Sequence, residues 1–391
     1  MPDTPASGRP NPLHELARLG QAVWLDYIRR SLLDSGGLER LVREDGLRGV
    51  TSNPAIFEKA IARGDEYTAQ LVQLVELAPA AGADPRRIYE ALAVEDIRRA
   101  ADVLGPVYRD TGGADGFVSL EVAPDLADDT EATLAEARRL WHAVDRPNLM
   151  IKVPGTPAGV PAIRRLVAEG IHVNVTLLFA RSAYAAVAEA YLEALDERLE
   201  RGESVADAAS VASFFVSRID TLVDRWLEER MAATADAADR ERLAALRGRT
   251  AIANAKLAYR HFRSLVASPR WQRLASAGAR PQRLLWASTS TKNPAYRDTL
   301  YVEELIGAET VNTMPPETIE AFRHHGVARP SLAAGLDEAE RVLAQLEAAG
   351  ISLEAATDEL LADGIVKFVE PFQRLLAAVA ARTRELVGDA A

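Results

Sequence analysis

A lysine stands in the middle of an apolar, strand-like run, Leu149-Met150-Ile151-Lys152-Val153-Pro154. Burying an ammonium is costly unless it is paired. A lysine so placed either carries its head out to water or gives up its proton. A neutral buried amine is the nucleophile that Schiff-base chemistry on a carbonyl requires. The apolar neighbours Ile151 and Val153 are expected to wall Lys152 and, with desolvation, to lower its pKa.

Other short apolar runs end in groups that could assist. Val23-Trp24-Leu25 leads to Asp26, and Val118-Ser119-Leu120 leads to Glu121. Two carboxylates beside an amine can move protons in different steps. Val50-Thr51-Ser52 leads to Asn53. Ile171-His172-Val173-Asn174-Val175-Thr176 puts Asn174 and Thr176 on one strand face by the two-residue period. Asn53 and Asn174 could orient the hydroxyls of a polyol. Ser213-Phe214-Phe215-Val216-Ser217 leads to Arg218, and Trp286-Ala287 leads to Ser288, with Lys292 just beyond. Arg218, Ser288 and Lys292 suit a phosphate dianion, for which charge-assisted bonds are strong.

Each residue has a plain structural alternative. Asp26 could cap a turn, and Asn53 before Pro54 could start a helix. Glu121 could pair with a surface arginine. Asn174 and Thr176 could complete a polar layer, Arg218 could bind a helix-end carboxylate, and Lys292-Asn293-Pro294 could open a helix. The alternatives must also explain why seven successive strand ends carry polar groups together. A structural ion-pair layer would more often combine Arg with Asp or Glu.

The elements that must position these groups are eight strand candidates: Ala22–Tyr27, Gly49–Ser52, Phe117–Val122, Leu149–Val153, Ile171–Thr176, Val211–Val216, Arg283–Ser288 and Thr310–Thr313. Amphipathic segments such as Thr130–Ala143, Arg181–Arg201 and Asp298–Leu305 alternate with them. Asp128-Asp129-Thr130 marks a helix start and Gly202 a helix stop. Alternation predicts a parallel sheet. Eight units without a Gly-rich dinucleotide turn favour an α/β fold of the (β/α)8 barrel type, in which strand C-terminal ends converge on one pocket. Two regions exceed a minimal barrel. Glu58–Leu104 carries two or three helices after strand two, and the chain from Ser331 is helical with Gly350 and Gly364 as punctuation. The C-terminal helices are expected to pack on the barrel without covering the pocket. Residues 1–15 are expected to be a flexible tail, and 16–391 one domain that includes helices 331–391.

The chain of 391 residues is 48% hydrophobic and 26% charged, as in ordinary soluble domains. A net charge of −11 argues against nucleic-acid or anionic-membrane partners, so an anionic substrate needs a local basic pocket. Without cysteine, disulfides and thiolate chemistry are excluded. The Pro/Gly/Ser/Thr-rich segment Met1–Pro12 lacks the apolar core of a signal peptide, and no apolar run reaches the ~18 residues of a membrane span. Cytoplasmic localisation is expected. Of the six histidines only His324 and His325 adjoin, more simply a helix-end surface pair than a ligand set. Neither a metal nor a cofactor is expected.

Several motifs resemble those of the transaldolase family. They are Gly49-Val50-Thr51-Ser52-Asn53-Pro54-Ala55-Ile56-Phe57, Ile151-Lys152-Val153-Pro154-Gly155-Thr156, Val173-Asn174-Val175-Thr176-Leu177-Leu178-Phe179 and Ser213-Phe214-Phe215-Val216-Ser217-Arg218-Ile219-Asp220. Ser288-Thr289-Ser290-Thr291-Lys292-Asn293-Pro294 through Thr310-Val311-Asn312-Thr313-Met314-Pro315 resembles the longer bacterial and plant-type branch. The resemblance runs from about Leu16 to Leu386 and implies a metal-free, class I enzyme of the non-oxidative pentose phosphate pathway. It implies transfer of dihydroxyacetone from sedoheptulose 7-phosphate or fructose 6-phosphate to glyceraldehyde 3-phosphate or erythrose 4-phosphate. By motif position, Lys152 forms the Schiff base. Asp26 is the acid/base at the C4 hydroxyl, and Glu121, with Thr176 and a water, handles protons in imine formation. Asn53 and Asn174, with Ser213 beside them, hold hydroxyls, and Arg218 holds phosphate. The shorter branch carries an arginine where this chain has the Ser288–Lys292 loop, so Ser288 and Lys292 are assigned to phosphate as a departure.

Three other readings compete. A fructose 6-phosphate aldolase-like lyase would release free dihydroxyacetone, but such chains are shorter and tend to carry tyrosine at the Glu121 position. A non-catalytic sugar-phosphate sensor would be expected to lack Lys152, Asp26 or Glu121. A fusion with an isomerase needs more chain than 391 residues. The partners expected are sugar phosphates, with the chain a monomer or homodimer.

Overall fold

The computed structural model describes residues 11–63, 65–77 and 84–388. Residues 1–10 of the expected tail lie outside these. Its last part is not a tail. The helix Pro12–Arg18 starts there, capped by the Asn11 side chain, which accepts from the Leu13 N–H at 3.0 Å, and it buries Leu13 and Leu16.

Eight strands form in chain order: β1 (Gln21–Asp26), β2 (Gly49–Thr51), β3 (Phe117–Glu121), β4 (Leu149–Pro154), β5 (Val173–Leu178), β6 (Ser210–Phe215), β7 (Arg283–Ala287) and β8 (Thr310–Met314). They make a closed parallel barrel, with β8 paired back onto β1. The expected (β/α)8 architecture is therefore present, with strand ends shifted by one or two residues. Valine, isoleucine and leucine dominate the strands because helices cover the outer face while side chains fill the inside. Gly49 shows how tightly that interior closes. A Cβ there would sit 2.5 Å from the ring of its register partner Trp24, so only glycine admits the indole. Trp24 then donates to Asp115 at 3.1 Å, and Arg283 pairs with Asp115 at 2.9 Å.

Helix boundaries follow local chemistry. Asp129 accepts from the Ala132 N–H at 2.9 Å and starts Thr130–Val144. Gly202 follows Arg181–Glu200 with φ +70°, a left-handed stop.

After β2 the chain forms Pro54–Arg63, Thr68–Leu77 and the long helix Pro85–Asp110. A buried cluster fastens the last of these to the loop that follows Asp26. Arg30 pairs with the fully buried Asp96 at 2.8 Å, and Tyr67 donates to Asp96 at 2.8 Å.

At the C-terminus Gly350, φ +70°, separates Leu336–Ala348 from Leu353–Gly388. Gly364 is not a break but an interior residue of the last helix. That helix lies on all three helices after β2. Phe372 meets the Tyr89 ring edge-on at 5.7 Å, and Tyr89 meets Phe57 at 5.7 Å. Arg382 donates to the Ile61 carbonyl at 3.2 Å and to Thr68 Oγ1 at 2.7 Å. The two embellishments therefore pack together and carry the C-terminal helix across the pocket end of the barrel. This corrects the expectation that it stays clear of the pocket.

Candidate active site

Glu121 on β3, Lys152 on β4 and Asn174 on β5 are successive register partners, so adjacent strands present them at one level. Asp26 and Thr51 are register partners on β1 and β2. A cavity of about 220 Å³ opens above this level. It is lined by Asp26, Asn53, Lys152, Thr176, Ser213, Arg218, Ser288 and Lys292, eight of the residues singled out from the sequence. Glu121 and Asn174 do not line it and reach it through neighbours. Glu121 Oε2 lies 3.3 Å from Lys152 Nζ, and Asn174 Oδ1 accepts from Ser213 at 2.6 Å.

Lys152 is 5% exposed and Glu121 8%. The amine also donates to the Ser52 carbonyl at 3.1 Å. Alternation along β4 turns Ile151 and Val153 toward the helices, so they are not its walls. The apolar wall is Phe368 of the last helix, whose ring centroid is 5.5 Å from Nζ. Burial pushes the Glu121 carboxyl up to about 7; Lys152 opposes that shift and the charge of Asp26 adds to it. Glu121 Oε2 meets only the Lys152 ammonium, while Glu121 Oε1 and the buried Thr176 hydroxyl have no hydrogen-bond partner among the described residues. Buried polar atoms are usually hydrogen-bonded, so both groups keep unused bonding capacity. Behind Glu121 lies a void of about 20 Å³, bordered by Tyr89, Glu136 and Phe372.

The structural alternatives hold in part. Asn53 does open a helix, its Oδ1 accepting from the Ile56 N–H at 3.1 Å, yet it also lines the cavity. Asn174 donates to Ser119 Oγ at 3.0 Å, a polar layer that fixes its amide. Asp26 accepts from Thr51 at 2.7 Å, and Thr51 touches Thr313 at 2.8 Å.

Arg218 sits in the first turn of the helix Ser217–Ala233. Burial pulls its guanidinium below the usual arginine range, against the opposing fields of Asp363 and Asp26. Its Nη1 has no hydrogen-bond partner among the described residues. The ring of Phe215 lies 5.3 Å from its Cζ. Ser288, at φ +56°, takes the left-handed conformation that serine rarely adopts. Its carbonyl accepts from the Ser217 N–H at 3.0 Å, and the two hydroxyls meet at 3.0 Å. Lys292 donates to Ser290 at 2.6 Å. No carboxylate among the described residues lies within ion-pair distance of Arg218 or Lys292. Two cations and a helix N-terminus thus face a cavity whose other charged lining residues are Lys152, Asp26 and Glu317.

The strand pattern gives no sign of Phe368, because it lies in a remote helix. It gives no sign of Thr51 and Thr313 either, because their role comes from strand neighbours. Asp220 and Asp224 lie two and six residues beyond Arg218 on the same helix. Asp220 accepts from the Ala251 N–H at 2.7 Å and from Tyr301 at 2.9 Å. Asp224 accepts from the Gly248 N–H at 2.9 Å and from Tyr296 at 2.6 Å. They tie the arginine's helix to the chain on both sides of β7. His324 and His325 stand exposed at the end of Pro316–His325, beside Glu320 and Asp298.

The fold and site define a (β/α)8-barrel protein with a lysine–carboxylate pair and a cationic pocket at the C-terminal strand ends. Residues 23–379 match the family model described as Transaldolase/Fructose-6-phosphate aldolase, and the chain belongs to that family. It is 48% identical over 371 residues to a transaldolase of Thermobifida fusca, covering 95% of this chain and 98% of that one. It is 47% identical over 381 residues to a transaldolase of Parafrankia, covering 97% and 99%. It is 45% identical over 378 residues to a transaldolase of Trichodesmium erythraeum, covering 96% and 98%.

Proposed function

We propose that the protein is a transaldolase that moves a dihydroxyacetone unit between sugar phosphates through a Schiff base on Lys152. The observation that carries this is the buried Lys152–Glu121 pair at 3.3 Å beneath a pocket holding Arg218 and Lys292. The near-full-length relatives named transaldolase support the same reaction.

Lys152 attacks C2 of the ketose phosphate. Glu121, able to hold or release a proton near neutrality, takes the amine's proton and gives one to the departing hydroxyl. Thr176 helps hold the water that is lost. Asp26, oriented by Thr51, accepts the proton of the C4 hydroxyl, and the C3–C4 bond breaks. The electron pair flows into the protonated imine, so the step requires no metal. The aldose phosphate leaves, and the remaining eneamine attacks the acceptor aldehyde as Asp26 returns the proton. Asn53 and Ser213 hold the hydroxyls of the bound unit, and Asn174 acts through Ser213, whose hydroxyl donates to it. Arg218, Ser288 and Lys292 hold the phosphate.

The chain acts as one domain from the helix Pro12–Arg18 through Leu353–Gly388, as a monomer or homodimer in the cytoplasm, and residues 389–391 lie outside those described. Among the described residues no helix is long and apolar enough to cross a membrane. The test is borohydride reduction with fructose 6-phosphate, followed by peptide mass analysis. A dihydroxyacetone-sized adduct is expected on Lys152 and is expected to be absent from Lys152→Ala. An adduct elsewhere, or none on folded wild type, would overturn the reading.

A further inference from the structure

The side of Lys152 that faces the cavity is covered by a residue that no barrel strand supplies. Phe368 is 7% exposed, lines the cavity and holds its ring centroid 5.5 Å from the amine. The other ring in the cavity, Phe215, lies against Arg218 on the phosphate side. We propose that Phe368 is a water-excluding cover that keeps the dihydroxyacetone unit on Lys152 until an acceptor arrives, and so decides between transfer and release. This rests on the Schiff-base reading above and deepens it.

The chemistry makes the choice specific to water. After cleavage the unit remains as an eneamine. Release needs a proton on its nucleophilic carbon, which regenerates the imine. One water then adds across the C=N bond, and the C–N bond breaks to return the Lys152 amine and free dihydroxyacetone. Transfer needs no water until the new C–C bond has formed. An apolar ring over the adduct slows hydrolysis without touching the group that handles the C4 proton.

The fold holds the ring in place from both sides. One turn before Phe368, the last helix passes close to the end of β5. A Cβ on Gly364 would stand 3.0 Å from Leu177 Cδ2, so glycine permits the approach. Leu177 itself takes φ +60° at an irregularity in the β5–β6 register, which turns it toward the helix. One turn after Phe368, on the same helix face, Phe372 is locked against Tyr89. Phe368 lies between these two anchors, which fix the path of the helix that carries it.

The experiment incubates full-length enzyme with fructose 6-phosphate and erythrose 4-phosphate. It measures free dihydroxyacetone and sedoheptulose 7-phosphate in the same sample. Their ratio is a property of each active molecule, so a misfolded fraction drops out. The ratio is expected to rise by about tenfold in Phe368→Ala, equivalent to a barrier difference of about one decade in rate. Phe368→Val is expected to rise in the same direction, and it replaces the alanine variant if that one does not turn over. Phe368→Leu, which keeps an apolar cover, is expected to stay near wild type. An unchanged ratio in the truncated variants, or an equal rise in Phe368→Leu, would overturn the proposal. A wild type without a borohydride adduct on Lys152 would instead overturn the underlying reading.

Discussion

Glu121 and Lys152 are register partners on neighbouring parallel strands, and their charged ends lie 3.3 Å apart in a space almost closed to solvent. The carboxyl is pushed up to about 7 by burial even with the amine beside it. The amine opposes that rise and the charge of Asp26 adds to it, so burial is the larger effect on the carboxyl.

A limb with an apparent pKa near 7 is therefore expected in the pH profile of kcat/KM. Glu121→Gln cannot titrate. It is expected to lose that limb and to lower kcat by about a hundredfold or more. A wild-type limb near 7 that survives in Glu121→Gln would assign it to another group.

Asp26 lines the cavity from the end of β1, and its carboxylate accepts from Thr51 at 2.7 Å. Asp26→Ala should still form the adduct that borohydride traps, yet release the aldose phosphate slowly. Rapid-quench comparison of adduct formation with aldose phosphate release separates the two steps. Loss of both to the same degree would place Asp26 in imine formation.

Arg218 offers a planar fork and Lys292 a point charge, so their losses should differ. Arg218→Ala is expected to raise KM for phosphorylated substrates by about 10- to 100-fold, the range for one or two lost charge-assisted bonds. Lys292→Ala should have a smaller effect in the same direction. Unphosphorylated aldehydes used as acceptors should respond little to either change. Equal effects on both acceptor types would remove Lys292 from the phosphate site.

Burial pushes Asp220 up to about 7 from an ordinary value of 3.8, against the hydrogen bonds from Ala251 and Tyr301. A carboxyl whose folded pKa is raised binds its proton more tightly in the folded state. Its stabilising contribution is complete below about pH 4 and is lost as pH rises through 7. Glu121 acts in the same direction. Thermal unfolding of wild type and Asp220→Asn between pH 4 and 8 should show a Tm advantage for wild type that shrinks as pH rises. A constant difference would mean that Asp220 is ionised throughout.

The strands and most of the site follow from local pattern. Apolar runs with a polar residue at the C-terminal end place Asp26, Asn53 and Glu121 at strand ends, Lys152 and Asn174 stand within β4 and β5, and barrel closure brings them to one level. Motif resemblance adds Thr176 and Ser213, which period and spacing alone do not separate from an ordinary polar layer. The reason given for the lysine's apolar surroundings fails, because alternation along a strand turns Ile151 and Val153 away from it.

What the sequence by itself determined is the residue chemistry and the order in which strands present it, since both depend on neighbours within one short segment. Tertiary structure alone decided what surrounds that chemistry. It set Glu121 beside the lysine, left Arg218 and Lys292 without a carboxylate within ion-pair distance among the described residues, and laid Phe368 over the amine. These depend on contacts between segments far apart in the chain. The path of the last helix was fixed by how Gly364, Phe372 and Arg382 meet β5 and the helices after β2, and no periodicity within that helix encodes where those partners lie.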